Sequence, residues 1–140
     1  MINFQIENNL TPKIIENKLS TWINEVAKLH GYNVGDINYL FCTDDYILDV
    51  NNQYLYHNYY TDIITFDYTI NNLIAGDIVL SVDTVKSNSD QLNTPFEKEF
   101  LRVVIHGILH LCGFKDKTEN EKSKMRELED EALNLYATFE

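Results

Sequence analysis

Two histidines, His106 and His110, lie four residues apart in the run Arg102-Val-Val-Ile-His-Gly-Ile-Leu-His-Leu-Cys-Gly-Phe-Lys-Asp116. The run reads as helix. Residues four apart on a helix share one face, with Cβ atoms about 5–6 Å apart, so two imidazoles there can share one metal ion. Gly113 follows three residues after His110, and Asp116 three after that. Glycine ends a helix readily by turning left-handed. The chain can then fold back and bring Asp116 to the same ion. Two neutral imidazoles and one carboxylate suit Zn²⁺ and leave a fourth position open for water or a substrate oxygen. The alternative is a pair of satisfied core histidines on a buried helix with no metal at all.

The longer pattern, His-x-x-x-His-x-x-Gly-x-x-Asp, has the ligand spacing of the metzincin zinc motif with Asp as third ligand. Zinc proteases of the His-Glu-x-x-His type carry a glutamate after the first histidine as general base. That position is Gly107 here. Gly107 leaves room but supplies no base, which turns the chemistry away from proteolysis.

The elements that must position these residues follow from periodicity and punctuation. Ile2–Glu7 alternates as a short strand. Thr11-Pro12 opens a helix whose apolar stripe is Ile14, Ile15, Leu19, Trp22, Ile23 and Val26, ending near His30-Gly31. His30 reads as a helix-end residue favoured by the dipole. Asp36–Cys42 is a second strand. Thr43-Asp44-Asp45 caps a helix over Tyr46–Leu55. Thr61–Tyr68 and Leu73–Val82 are further strands about an Asn71-Asn72 turn, and Gly76 marks a bulge or a close backbone approach. A short helix over Asp83–Leu92 precedes the histidine helix, Phe96–Cys112. Thr118 and Glu121 form a capping-box signal for a last helix to about Ala137. With no repeat or linker, residues 1–140 read as a single domain. The fold class is α+β, a small mixed four-stranded sheet packed by helices.

The net charge of −11 argues against non-specific binding of nucleic acid or membranes. The charge is uneven. Seven of the eleven Lys and Arg residues fall between Lys98 and Arg126, a window of net +3, leaving −14 elsewhere. These cations form either a solvated helix face or a cationic rim for an anionic substrate. Cys42 and Cys112 read as reduced core residues. No signal peptide or membrane span is legible, so the expected location is cytoplasmic.

From about Val50 to Met125 the chain resembles the YbeY family. His106, Gly107, Leu109, His110, Leu111, Gly113 and Phe114 match its histidine motif position by position. Thr61-Asp62-Ile-Ile-Thr-Phe66 is similar to its Thr-Asp-Val-Leu-Ser-Phe stretch, and Gly76-Asp77-Ile78 with Ser81 to its Gly-Asp-Ile strand. The resemblance implies a zincin-like α+β fold and a metal-dependent, single-strand-specific endoribonuclease. Such an enzyme acts in late small-subunit ribosomal RNA maturation and ribosome quality control. It implies one Zn²⁺ per chain on His106, His110 and Asp116. The partners implied are single-stranded ribosomal RNA and small-subunit ribosomal proteins.

Two departures from the family pattern stand out. Its third ligand is a histidine preceded by Asp, where this chain has Lys115-Asp116. Its Asn-x-x-Tyr-Arg segment aligns Asn51 and Tyr54 and puts Leu55 where an arginine implicated in catalysis belongs. Leucine cannot bind phosphate. His57, Lys115 and Lys117 are the candidate replacements, and Tyr56, Tyr59 and Tyr60 either stack on bases or pack as a lid. Two other functions stay open, a metal-dependent hydrolase of another substrate such as peptides, and a non-catalytic, zinc-stabilised ribosome-assembly factor.

Overall fold

The computed structural model describes residues 1–7, 15–55 and 62–139. Its elements run β1 (Ile2–Ile6), α1 (Glu16–Leu29), β2 (Asn33–Cys42), α2 (Asp44–Val50), a single π-helical turn (Asn51–Leu55), β3 (Ile63–Asp67), β4 (Leu73–Ser81), α3 (Val82–Gln91), α4 (Phe96–Leu111) and α5 (Glu119–Tyr136). The four strands form one mixed sheet in the order β1-β2-β4-β3. β1 and β4 flank β2 in parallel, and β3 pairs antiparallel with β4 at the edge. The α+β expectation holds.

Side-chain alternation divides the sheet. Ile37, Tyr39 and Phe41 of β2 and Ile74, Ile78 and Leu80 of β4 point into the main core, where α1 and α4 lie on the sheet and α5 packs against both helices. On the other face a small cluster of Cys42, Ile47, Val50, Ile64 and Val79 sits under α2. Both cysteines are free and buried, and burial pushes each thiol up to about 12. They are inert core residues, as read from the sequence.

α4 is fastened to the sheet at two levels. Tyr39 Oη donates to the Val104 carbonyl at 2.8 Å. A turn later, Gly107 lies against the sheet, where an added Cβ would stand 3.0 Å from Ile78 Cδ1 and 3.1 Å from Ile63 Cδ1. The room expected at Gly107 is therefore filled by the sheet and is not open to substrate. A glutamate there would have to displace two core isoleucines. Gly76 has a similar reason: a Cβ would come within 2.4 Å of the Phe66 carbonyl, the close approach its position suggested. The register shift lies instead on β2, between Val34 and Ile37.

α1 and α5 are tied by Trp22, fully buried, whose Nε1 donates to the Ala132 carbonyl at 2.7 Å. Thr11-Pro12 and Ile14 lie outside the described residues. Ile15 does not join the apolar stripe; it precedes the first helical turn and is 63% exposed. His30 is the C-cap, as expected, but its ring packs edge-on against Phe114 at 5.0 Å. Burial lowers its pKa, and the charge of Glu131 opposes this. The predicted helix to Leu55 splits into α2 and the π-helical turn.

Candidate metal centre

His106 and His110 project from the same face of the last two turns of α4, ring centroids 4.5 Å apart and planes nearly perpendicular. Gly113 ends the helix with φ +93°. A Cβ would meet only Tyr32 Oη, at 3.7 Å, so the demand for glycine is conformational and not a matter of space. The reversed chain carries Asp116 back over the histidines. Asp116 Oδ2 lies 3.1 Å from His106 Nε2 and 3.5 Å from His110 Nε2. Thr118 then starts α5 with the capping box read from the sequence: its hydroxyl accepts from Glu121 N, and the Glu121 carboxylate accepts from Thr118 N.

One ligand atom from each of the three side chains lies within 4.8 Å of the others. Ligands at bond lengths of about 2.0–2.1 Å around a tetrahedral ion stand roughly 3.3–3.4 Å apart. The two distances from Asp116 match that edge length. Among the described residues this is the sole cluster of histidine, cysteine and acid side chains that could hold a metal ion.

The other ring nitrogens are already occupied. His110 Nδ1 is 3.0 Å from the Phe114 carbonyl, within the turn itself. His106 Nδ1 is 2.6 Å from Glu129 Oε2 on α5. Glu129 is buried, and its other oxygen accepts from Arg102 Nη1 at 3.0 Å; Arg102 Nη2 donates to Asp130 at 2.6 Å. Burial disfavours the charged His106 ring, but Glu129, Asp116 and Asp62 together outweigh it and raise its pKa. Burial raises the pKa of the Asp62 carboxyl from its ordinary value; attraction to His106 opposes this, and repulsion from Glu129 and Asp116 adds to it.

Arg102 does not belong to the cationic rim. It is 7% exposed and committed to two carboxylates. Lys115 and Lys117 are exposed on either side of Asp116, and Lys122, Lys124 and Arg126 are exposed on α5. His57 and the tyrosines at 56, 59 and 60 lie outside the described residues, as does the side chain of Leu55. Glu129 is the member of the site that sequence reading missed. A signal existed: on α5 it shares the buried stripe of Met125, Leu128 and Ala132, an unusual place for a lone acid.

Fold and centre together define a small α+β protein that gathers His106, His110 and Asp116 closely enough to hold a metal ion. The family model for endoribonuclease YbeY matches residues 1–137. An endoribonuclease YbeY of Phocaeicola vulgatus is 51% identical over 137 residues, covering 98% of this chain and 99% of the relative. One from Bacteroides fragilis is 49% identical over 134 residues, covering 96% of each. The solution structure of a Thermotoga maritima protein superposes with a TM-score of 0.69 at 29% identity, over 99% of this chain and 93% of that one. The chain belongs to the YbeY endoribonuclease family.

Proposed function

We propose that the protein is a zinc-dependent, single-strand-specific endoribonuclease of ribosomal RNA maturation, acting late on the small-subunit RNA and in ribosome quality control. The observation that carries this reading is the convergence of His106, His110 and Asp116 within 4.8 Å in a chain of this family. The donor set fits the ion: two imidazole Nε2 atoms and one carboxylate oxygen face a common point, while both Nδ1 atoms are engaged elsewhere. When bound, Zn²⁺ supplies a Lewis acid for phosphoryl oxygen and lowers the pKa of water. His106, His110 and Asp116 would hold it, and three protein ligands leave a fourth tetrahedral position for water or a phosphoryl oxygen. Asp116 in place of the family histidine adds a negative charge to the site. Lys115 and Lys117, exposed beside Asp116, bind the flanking phosphates of the strand. Partners are single-stranded ribosomal RNA and proteins of the small subunit, in the cytoplasm. No helix among the described residues is long and apolar enough to cross a membrane.

Leu55, at the position of the family's arginine, favours a second reading: a ribosome-assembly factor in which zinc pins α4 to the turn before α5 and no RNA is cut. One experiment separates the two. Purified protein is incubated with single-stranded RNA, with and without chelator, beside His110→Ala. The endonuclease reading expects cleavage that both chelator and the substitution abolish. Stoichiometric zinc without cleavage would remove the endonuclease reading and favour the assembly factor, and cleavage that survives both treatments would remove the metal mechanism.

A further inference from the structure

We infer that Glu129, a residue of α5 outside the histidine motif, is the positioning residue that makes His106 a ligand through Nε2. The inference rests on the metal reading of His106, His110 and Asp116. Glu129 is 5% exposed, and both of its oxygens are used, Oε1 by Arg102 and Oε2 by His106 Nδ1. A buried carboxylate is tolerated only when paired. The Arg102 guanidinium pairs it through Oε1 at 3.0 Å, which leaves Oε2 for His106. At 2.6 Å, Oε2 takes up Nδ1 of the His106 ring. Nε2 is then the ring nitrogen left for a ligand, and it is the atom facing Asp116.

His110 is oriented the same way by another route. Its Nδ1 meets the Phe114 carbonyl. The two ligands thus have unequal backing: a neutral carbonyl from the adjoining turn for His110, and a charged carboxylate from a separate helix for His106. A carboxylate behind a ligating imidazole increases its basicity and fixes its ring. Arg102, one turn before His106 on α4, holds that carboxylate in place, and Asp130 holds Arg102. Seating of α5 against α4 is therefore a condition for tight metal binding. Neither histidine's sequence neighbourhood records it.

The test is a Zn²⁺ competition titration against a chromophoric chelator for wild type, Glu129→Gln and, as control, Glu127→Gln, an exposed residue of the same helix. Glu129→Gln should bind Zn²⁺ about 10–100-fold more weakly, the range for loss of such a partner, while Glu127→Gln matches wild type. Imidazole nitrogen–proton NMR of the zinc-loaded wild type should show His106 protonated at Nδ1 and bound through Nε2. That spectrum decides the matter alone if Glu129→Gln does not fold. Unchanged affinity in folded Glu129→Gln, or a His106 bound through Nδ1, would overturn the inference while leaving the site intact. A wild type that takes up no zinc would overturn the site reading itself.

Discussion

Acids and side-chain donors meet at two helix junctions, α2 with α3 and α4 with α5, and the two clusters close differently. At the first, Ser81 Oγ accepts from Thr84 N at 3.3 Å and donates to Asp44 Oδ1 at 2.6 Å; the Thr84 hydroxyl donates to the same oxygen. Asp44 N donates to Asp83, and Thr43 N to Glu7. Each of these acceptors has a proton pointed at it, supplied mostly by the free N–H groups of two helix starts. The α4/α5 junction has the same closure on one side, through Arg102, Glu129 and Asp130. On the other side, the Nε2 atoms of His106 and His110 face the Asp116 carboxylate at 3.1 and 3.5 Å. That grouping is close enough to hold a metal ion, and the proposed function places a cation there. Ligand-type atoms from three side chains within 4.8 Å of one another, rather than the presence of acids, set this junction apart from the first.

The comparison breaks most sharply at Asp116. Asp116→Ala leaves two ligands, and zinc affinity should fall more than the roughly 10–100-fold that supporting residues command. Asp116→His restores the family's ligand and should keep one zinc per chain. Metal content after dialysis and competition titration measure both, and stoichiometric zinc in Asp116→Ala would show that the cation lies elsewhere.

Ser81→Ala probes the closed cluster. It removes an N-cap and one of two donors to Asp44, which should cost about 1–2 kcal/mol in denaturant unfolding. Zinc affinity should stay at the wild-type value. A change in affinity would mean that the two junctions are coupled and that the contrast between them is false.

Asp130→Asn is the mildest test. The hydrogen bond from Arg102 holds the Asp130 carboxyl below its ordinary value. Asp130 is 56% exposed, so solvent screening limits the loss to about 0.5–1 kcal/mol. A carboxyl with a lowered pKa stabilises the fold above its unfolded value, and that contribution fades as pH falls through the folded one. The gap between wild type and Asp130→Asn should therefore be full at neutral pH and close on acidification. A gap that widens in acid would exclude the ion pair as its source.

What sequence made legible follows from range. The Thr118–Glu121 capping box, the left-handed Gly113 and the one-face pairing of His106 with His110 each depend on residues within a turn or two, and each stands as read. Asp116 joined them because three residues and a glycine define where a reversed chain can go. Arg102 was misread because a guanidinium in an apolar helix looks the same in sequence whether it meets water or Glu129, 27 residues on. The sequence periodicity of Ile15 placed it in a stripe that the helix start excludes. Strand order was not legible at all, since β2 pairs with β4 across α2 and β3.

Trp22 gives this architecture an optical handle. It is the chain's one tryptophan, and its indole N–H is held by the α5 carbonyl of Ala132, one helical turn beyond Glu129. Indole emission shifts when a buried ring gains water. Unlabelled protein therefore reports the docking of α5 through its own fluorescence, and the seating of the helix that backs His106 can be followed in real time as zinc is added or withdrawn.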